Sequence, residues 1–459
     1  MKPTRNLGCL SFTLVVLLLA KECTCAVIQS PAVANESARA RNENVAPMQM
    51  DDDDFVPYQG ERSSLFDWML LKTIGKTFTG NLLVSPISIK LALVLLFEGS
   101  QDQTAHELAG VMQLPVSRSG TRDRFTTILR SLKSPPPGCT LNVGTRLYVD
   151  NNILTRQRYE AIIKTFYDSD VINTNLSHTS LIAGDINMWV NNITQGNIPR
   201  MIEDDSTIKD SLMLVVNALY FKGTWRHKYF LPENTHTGRF YTDGDKSVNV
   251  EFMHTTSRLY YSESPELDAK ILRIPYSGHK FAMYLVLPRT SSGTDLLIRD
   301  INPFILTKHV WLMQELQVDV LLPKFKFDFT SYLEPVLREL GIRDIFDDTA
   351  MLIGIARTRR ASKHLKVSEI VQKTGIEVNE NGTSGYAATV VQISNKIEAE
   401  TFHANHPFVF YIEDETTGTI LYIGKVANPL EKFGSTGSPK QQYPSRFNDG
   451  MGATNSPAA

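Results

Sequence analysis

Val216-Asn-Ala-Leu-Tyr-Phe-Lys-Gly-Thr-Trp225 continues a β-rich run of this 459-residue chain that begins at Leu212. Two later runs, 282–288 and 318–327, have the same character, and glycine, proline or charged residues bound each of them. Apolar residues at helical spacing occur at 65–72, 87–98 and 185–202. Helices followed by many strands predict an α+β protein with antiparallel or mixed sheets.

The N-terminus has the order of a secretory signal peptide. Lys2 and Arg5 precede an apolar run at 10–20, and small residues follow around Cys23 and Cys25. We expect residues 1–26 to be removed and the protein to be secreted into the extracellular space, with a signal anchor as the alternative. No later segment has eighteen uncharged apolar residues in a row, so no other membrane span is predicted.

Two polar segments flank the rest of the chain. Segment 27–62 lacks periodic apolar residues and contains the acidic run Asp51-Asp-Asp-Asp54, which predicts a disordered acidic tail. A calcium or basic-partner site is the alternative, but the run lacks spaced ligands and a loop glycine. Glycine, serine, proline and amide residues predict a second disordered tail at 431–459. No linker or repeat divides residues 63–430, which we expect to form one domain.

Composition and motifs argue against several functions. The 47 basic and 49 acidic residues give a formal charge of −2, which does not favour nucleic-acid or membrane binding. Nucleophile-elbow, zinc-protease, paired-cysteine and P-loop motifs are absent from the sequence, so we predict no enzyme and no cofactor. His403 and His406 are three apart, but Pro407 disfavours a helix through them and no other ligand lies near in sequence, so we predict no metal site.

One cysteine and four glycosylation sequons remain to be interpreted. Cys9, Cys23 and Cys25 lie in or beside the predicted signal peptide, so Cys139 has no partner for an internal disulfide and is expected to be an inert thiol. The sequons are compatible with a secreted glycoprotein; they begin at Asn35, Asn175, Asn192 and Asn381.

Basic residues form two local groups. The first lies on a predicted helix and comprises Arg122, Arg124, Arg130 and Lys133. The second comprises Arg357, Arg359, Arg360, Lys363, His364 and Lys366. Both fit an ordinary solvated face, and a polyanion such as a sulfated glycan is the functional alternative.

Four segments resemble the serpin family of serine protease inhibitors. They are Asn81-Leu-Leu-Val-Ser-Pro-Ile-Ser88, the segment from Val216 to Trp225, Glu377-Val-Asn-Glu-Asn-Gly-Thr383 and Phe402-His-Ala-Asn-His-Pro-Phe-Val-Phe410. Their order matches that of the family and covers nearly the whole globular unit. The resemblance implies the serpin fold, in which several helices surround three β-sheets and a reactive-centre loop, here about 380–402, is exposed.

The resemblance also implies roles beneath the central sheet. A polar cluster under the opening of the sheet, called the shutter, would include Ser85, Ser88 and Asn217. Trp225 would belong to the breach, the region where the loop first inserts. Most members have a histidine eight residues before the hinge glutamate, Glu380, whereas this chain has Gln372. Because an amide cannot titrate, we expect a shutter that is less sensitive to pH.

Serpins, as the resemblance implies, inhibit by inserting the cut loop as a new strand while the acyl-enzyme is intact. Side chains alternate between the two faces of a strand. After hinge residues Glu380 and Gly382, the resemblance places four small or β-tolerant, uncharged residues on the inward face: Thr383, Gly385, Ala387 and Thr389. Tyr386 departs from the alanine of many inhibitory members and is expected to face outward.

Two counts locate the bait bond. The family spacing places the bait residue sixteen residues after Glu380 and eleven residues before Pro407. Both counts give Lys396, and therefore the bond between Lys396 and Ile397. Lysine suits a protease pocket with an aspartate at its base, as in trypsin; an ordinary exposed loop charge is the alternative. Asn395-Lys396 in such a loop is also similar to insect haemolymph serpins that restrain melanisation and Toll-pathway proteases.

The resemblance therefore implies a secreted monomeric inhibitor whose partner is a trypsin-like serine protease, with a sulfated glycan as a further candidate partner. A serpin-fold carrier or storage protein that does not inhibit is the main alternative. The uncharged hinge favours the inhibitor, because a charge or proline at its inward positions would oppose insertion.

Overall fold

The computed structural model describes residues 55–60, 65–115, 117–205, 208–209, 211–243, 246–358, 365–383 and 399–436. The chain divides into two compact units, Met1–Phe55 and Val56–Ala459, and the fold described below is that of the second. The predicted signal peptide 1–26 and nearly all of the predicted N-terminal tail lie outside the described residues.

Nine α-helices occur within the described ranges: α1 (Leu65–Gly75), α2 (Pro86–Gly99), α3 (Asp102–Met112), α4 (Arg118–Leu132), α5 (Gln157–Tyr167), α6 (Thr179–Ile193), α7 (Thr294–Asp300), α8 (Pro303–Trp311) and α9 (Glu334–Leu340). The strands of the same ranges are β1 (Leu82–Val84), β2 (Cys139–Asp150), β3 (Ile153–Thr155), β4 (Asp170–Thr174), β5 (Met213–Thr224), β6 (His236–Asp243), β7 (Lys246–Ser264), β8 (Ala269–Pro275), β9 (Phe281–Pro288), β10 (Gln314–Pro323), β11 (Phe325–Tyr332), β12 (Ala356–Thr358), β13 (Glu369–Val378), β14 (Gly382–Thr383), β15 (Glu400–His403), β16 (Phe408–Asp414), β17 (Thr419–Val426) and β18 (Phe433–Ser435).

The strands form three sheets. The main sheet has the order β18-β11-β13-β5-β2-β4, and β14 adds to β5. The second sheet has the order β1-β17-β16-β9-β8-β7-β10-β15, with β6 beside β7, and β12 pairs with β3. Parallel and antiparallel pairs both occur in the main sheet, since β13 runs parallel to β5 and β2 runs antiparallel to it. The predicted α+β class with mixed sheets is therefore confirmed.

Helix α2 is buried because it contacts both large sheets. Every residue of α2 except Lys90 is buried, and the helix contacts β5 and β2 of the main sheet and β17 of the second. Pro86 occupies its first turn, where the missing N–H of proline costs no intrahelical bond. This arrangement places Ser85, the residue before the helix, beneath the main sheet.

Two predicted elements have different bounds in the structure. The helix predicted at 185–202 is α6, which begins at Thr179 and ends at Ile193. Beyond it, Gln195 and Gly196 adopt positive φ angles of 53° and 83°, a conformation that a continuing helix does not allow. The strand predicted at 318–327 is divided between β10 and β11 at Pro323 and Lys324, because proline cannot donate to a ladder.

The predicted boundary of the C-terminal tail needs correction. Residues 431–436 are ordered on the main sheet, where β18 runs parallel to β11. The Asp328 N–H donates to the carbonyl of Lys432, and the Thr436 N–H donates to that of Thr330. Hydropathy could not reveal this pairing, because the backbone makes it while the Phe433 side chain stays 71% exposed. The remainder of the predicted tail, 437–459, lies outside the described residues.

Within the described part of the chain, no helix is long and apolar enough to cross a membrane.

Candidate functional site

A tight turn precedes β14 at one end of the main sheet. Asn379 and Gly382 exchange two backbone hydrogen bonds of 3.0 Å each. Gly382 has a φ of 109°, and a β-carbon there would lie 2.3 Å from the Gly223 carbonyl oxygen of β5. Only glycine fits both the angle and the close approach. The predicted hinge residue Gly382 thus lies where the chain turns onto β5.

Trp225 is buried against this turn, at the end of β5. Its indole Nε1 donates to the carbonyl of Asn379 at 3.1 Å, and its backbone N–H approaches the carbonyl of Asn381 at 3.4 Å. The ring stacks on Tyr276, with ring centroids 4.8 Å apart and planes inclined by 12°. Trp225 therefore joins the second sheet, through Tyr276 beside β8, to the backbone that leads into the hinge.

The hinge glutamate is held by a hydroxyl and an ammonium group. Glu380 Oε1 accepts a hydrogen bond of 2.8 Å from Thr235 and lies 3.3 Å from the Lys324 ammonium nitrogen. Burial raises the pKa of Glu380, but backbone, Thr235 and Lys324 interactions together lower it below the ordinary value. The carboxylate therefore stays ionised at neutral pH and fixes the residue that precedes the loop.

The main sheet is parted between its two central strands. β13 pairs with β5 only from Glu369–Leu214 to Lys373–Ala218. Both strands continue beyond this point, β5 to Thr224 and β13 to Val378, without pairing with each other. β14 pairs antiparallel with the far end of β5, and Thr383 lies opposite Gly223. The two strands are thus unpaired with each other at the end of the sheet where β14 lies.

The residues predicted to form the shutter meet next to the last pair of β5 and β13. The Ser85 N–H donates to Gln372 Oε1 at 2.9 Å, and Gln372 Nε2 donates to the Ser85 carbonyl at 3.0 Å. In the neighbouring strand, Asn217 Nδ2 donates to Thr145 Oγ1 at 2.7 Å. The predicted residues Ser85, Gln372 and Asn217 therefore lie together. The side-chain amide of Gln372 bonds both the backbone N–H and the backbone carbonyl of Ser85.

Sequence reasoning missed two members of this cluster. Ser331 lies opposite Gln372, Gln372 opposite Asn217, and Asn217 opposite Thr145, so the four residues form a row across four strands. Ser331 and Thr145 are buried. Strand register brings them together, and no local sequence signal reports it. Four buried oxygens of the shutter have no protein hydrogen-bond partner; they belong to Ser85, Ser88, Asn217 and Ser331.

The two ends of the reactive-centre loop lie on different sheets. Thr383 belongs to β14 on the main sheet, whereas Glu400 starts β15, which runs parallel to β10 in the second sheet. Residues 384–398 lie outside the described residues; among them are the predicted sites Gly385, Ala387, Thr389, Lys396 and Ile397.

The two histidines considered as metal ligands have separate partners. His403 Nε2 lies 2.8 Å from Asp319 Oδ2, and His254 Nε2 lies 2.7 Å from the other oxygen of the same carboxylate. His406 Nε2 instead donates to the carbonyl of Pro288 at 2.8 Å. In the parts of the chain that are described, no group of three or more histidine, cysteine, aspartate or glutamate residues could hold a metal ion.

Cys139 is half-buried, and burial raises the pKa of its thiol to about 12. A thiol of this kind carries almost no thiolate at neutral pH, which agrees with the expected inert role.

The first basic group is partly neutralised within the molecule. Arg122 forms two hydrogen bonds with the buried carboxylate of Glu98, at 2.7 and 3.0 Å, and Lys133 pairs with Asp168. Arg124 lines a cavity of about 400 Å³ that Lys90 also lines. Arg130, the fourth cation of the group, is exposed. The second group lies largely outside the described residues, and Lys366 pairs with Asp348 at 2.9 Å.

Three of the four predicted sequons lie in the described residues. Asn192 and Asn381 are exposed, and Asn175 is half-buried. Thr194, the third residue of the Asn192 sequon, is fully buried and donates to the Val190 carbonyl at 2.8 Å. Asn35 lies outside the described residues.

Comparison with known proteins agrees with this architecture. Residues 61–429 match the family described as "Serpin (serine protease inhibitor)". "Serine protease inhibitor 2" of Anopheles gambiae is 37% identical over 385 residues, 82% of this chain and 93% of that protein. "Serine protease inhibitor 42Dd" of Drosophila melanogaster is 33% identical, covering 78% of this chain and 95% of that protein.

Solved structures share the fold. Serpin48 of the insect Tenebrio molitor superposes with a TM-score of 0.72 at 30% identity, covering 80% of this chain and 96% of that one. Human thyroxine-binding globulin, complexed with its hormone, superposes with a TM-score of 0.73 at 26% identity and covers 80% and 98%.

The fold is that of the serpins, a class described as serine protease inhibitors, and the chain belongs to this family. Its similar relatives include serpins of mosquito, fly and beetle.

Proposed function

We propose that the protein is a secreted suicide-substrate inhibitor of trypsin-like serine proteases, cleaved between Lys396 and Ile397. The freed arm inserts into the main sheet before the acyl-enzyme is hydrolysed, and the protease is trapped. Its biological role is to restrain an extracellular protease cascade of immunity or melanisation. Similarity to serpins of insects and the Asn395-Lys396 pair support this role.

The parted main sheet is the observation that carries the proposal. β5 and β13 do not pair with each other beyond Ala218 and Lys373, and β14 already pairs with β5 at the open end of this gap. The residues that would follow Thr383 into the gap are small or β-tolerant on the inward face and carry no charge. Such an arm can be buried without leaving an unpaired charge in the core.

Lysine at the bait position supports the specificity. Its ammonium group complements an aspartate at the base of a protease pocket, and such a charge pair distinguishes trypsin-like enzymes from those with an apolar pocket. A sulfated glycan is less well supported as a second partner, because Glu98 and Asp168 engage two of the four cations of α4.

One gel tests the proposal. The secreted protein is mixed with trypsin and separated in denaturant. We expect a covalent complex with the summed mass of the two proteins less that of the released C-terminal peptide, and mass spectrometry should show that this peptide begins at Ile397. Chymotrypsin, with its apolar pocket, is the matched control and should give little complex. Cleavage after Lys396 without any complex would contradict the inhibitory mechanism.

The alternative is a serpin-fold carrier that does not inhibit. Similarity to thyroxine-binding globulin favours it, since that protein is a binding protein by its title. A carrier would be cut by trypsin without trapping it and would bind a small apolar ligand with measurable affinity. The same gel therefore separates the two functions.

A further inference from the structure

A tyrosine of the second sheet reaches the backbone of the main sheet at the gap. Tyr422, in β17, is 1% exposed, and its hydroxyl donates to the Leu219 carbonyl of β5 at 2.9 Å. The backbone N–H of Phe221 also interacts with this hydroxyl and opposes the raising of the Tyr422 pKa by burial. One side-chain oxygen therefore satisfies a donor and an acceptor of a neighbouring strand.

The direction of these backbone groups follows from the alternation along β5. The Met213 carbonyl accepts the N–H of Ser368, just before β13, so residues of odd number in β5 face β13. Residues of even number face β2, since the Thr224 N–H donates to the Gly138 carbonyl just before that strand. Leu219 and Phe221 consequently face β13, beyond the last β5–β13 pair at Ala218. Tyr422 thus holds two ladder groups inside the gap.

The register of β14 shows which residues would compete for these groups. Gly382 lies opposite Thr224 and Thr383 opposite Gly223. If the antiparallel register continues, Gly385 comes opposite Phe221 and Ala387 opposite Leu219. Gly385 would then accept the Phe221 N–H, and Ala387 would donate to the Leu219 carbonyl.

We propose that the Tyr422 hydroxyl occupies the hydrogen-bonding position of the absent strand, and that insertion of the loop must displace it. The hydroxyl stabilises the intact form selectively, because only in that form do Leu219 and Phe221 lack a strand partner. It also slows insertion, since its hydrogen bond to the Leu219 carbonyl breaks before that of Ala387 forms. This inference rests on the proposed insertion of the loop.

Tyr422→Phe removes one oxygen and keeps the ring. We expect the melting temperature of the intact variant to fall by about 2–4 °C, because a buried carbonyl and N–H lose their partner. The melting temperature of the cleaved variant should equal that of cleaved wild type. Tyr159→Phe is the matched control: the Tyr159 hydroxyl is also buried and donates to the Leu95 carbonyl at 2.9 Å, but the bond joins α5 to α2. Tyr159→Phe should lower the melting temperatures of the intact and cleaved forms equally.

A kinetic measurement uses the same variants without a protease. A synthetic peptide with the sequence of residues 383–396 is incubated with the intact protein, and its uptake is followed by native electrophoresis. Tyr422→Phe should accelerate uptake about fivefold relative to wild type, and Tyr159→Phe should leave it unchanged.

The outcomes separate this inference from the proposed function. In one outcome, cleavage and peptide stabilise the wild type, but Tyr422→Phe lowers the melting temperatures of the intact and cleaved forms equally and takes up peptide at the wild-type rate. The role of Tyr422 is then overturned, and insertion stands. If neither cleavage nor peptide stabilises the wild type, insertion itself is wrong, and the role of Tyr422 is overturned with it.

Discussion

The side-chain amide of Gln372 bonds the backbone N–H and the carbonyl of Ser85, the residue directly before α2. The resemblance at the sequence level identified Gln372 as a shutter residue, but it did not predict this geometry. The oxygen and nitrogen of one amide face the same way and match the N–H and carbonyl of a single residue. The two nitrogens of an imidazole diverge and cannot do so.

Gln372→His should therefore introduce a dependence on pH. The neutral imidazole would keep one hydrogen bond to Ser85, and the free energy of unfolding would fall by about 1–3 kcal/mol. Because the site is buried, the pKa of the introduced imidazole in the folded protein would lie below the unfolded value of about 6.5. The unfolded state then binds more protons, so stability rises with pH and is lost progressively below about pH 6.5.

Thermal melts between about pH 5.5 and 8, a range that brackets the ordinary histidine pKa, measure this effect as the difference between the variant and wild type. Gln372→Asn is the control, since it weakens the contact without adding a titrating group. A difference that stays constant with pH in Gln372→His would contradict the buried shutter position.

Lys396 was located only by counting from Glu380 and Pro407, and its side chain is the simplest to test. Lys396→Glu should reduce the association rate with trypsin by more than about 100-fold, because two like charges would meet in the protease pocket. Lys396→Arg keeps the charge and should retain inhibition. The second-order rate constant measures both, and melting curves should show no change in the fold. Unchanged inhibition by Lys396→Glu would remove this residue from the bait position.

At the scale of elements, sequence patterns located the cores of helices and strands better than their ends. The apolar period predicted α6 near Ile186 and Val190, but its end depends on the positive φ of Gln195 and Gly196. The parting of β5 from β13 was not predictable from either strand, because apolar residues such as Phe221 and Ile376 continue in both sequences past the last pair. Pairing in a sheet depends on what the neighbouring strand offers.

β14 is the element that would grow during inhibition, and Thr383→Arg tests its growth. Thr383 lies opposite Gly223, and continued alternation would bury an arginine there without a partner, which costs several kcal/mol. Insertion should slow, so that the acyl-enzyme is hydrolysed first. Trypsin should therefore cleave the variant after Lys396 and dissociate from it as active enzyme. A titration against trypsin should show the fraction of covalent complex falling sharply.

Ser384→Arg is the matched control for that experiment. The alternation predicts that residue 384 faces solvent in the inserted strand, where a charge is tolerated. This variant should trap trypsin nearly as well as wild type. Equal trapping by both arginine variants would contradict insertion in the register of β14.

At the scale of the whole molecule, four short segments predicted the family and the fold because their order along the chain is specific. They could not predict that β18 extends the main sheet, or that Tyr422 joins the two large sheets, since both contacts involve backbone groups of distant strands. The intact fold also retains buried hydroxyl and amide oxygens without protein partners at Ser85, Asn217 and Ser331. Each such group raises the free energy of the native state.

Cleavage of the loop should consequently stabilise the whole molecule. Insertion would replace the five parallel pairs between β5 and β13 by two antiparallel ladders along the full lengths of both strands. Antiparallel pairs are slightly more stable per residue, and the inward side chains of the arm would add buried area.

The arm from Thr383 to Lys396 would extend on the order of 45 Å at about 3.3 Å per residue, so an attached protease would move across most of the sheet. We expect the melting temperature to rise on the order of 10 °C or more once the loop is cut by a protease that the protein does not trap. Thr383→Arg, cut at the same bond, should gain much less, which separates insertion from the effect of cutting the loop itself. An unchanged melting temperature in cleaved wild type would favour the carrier function.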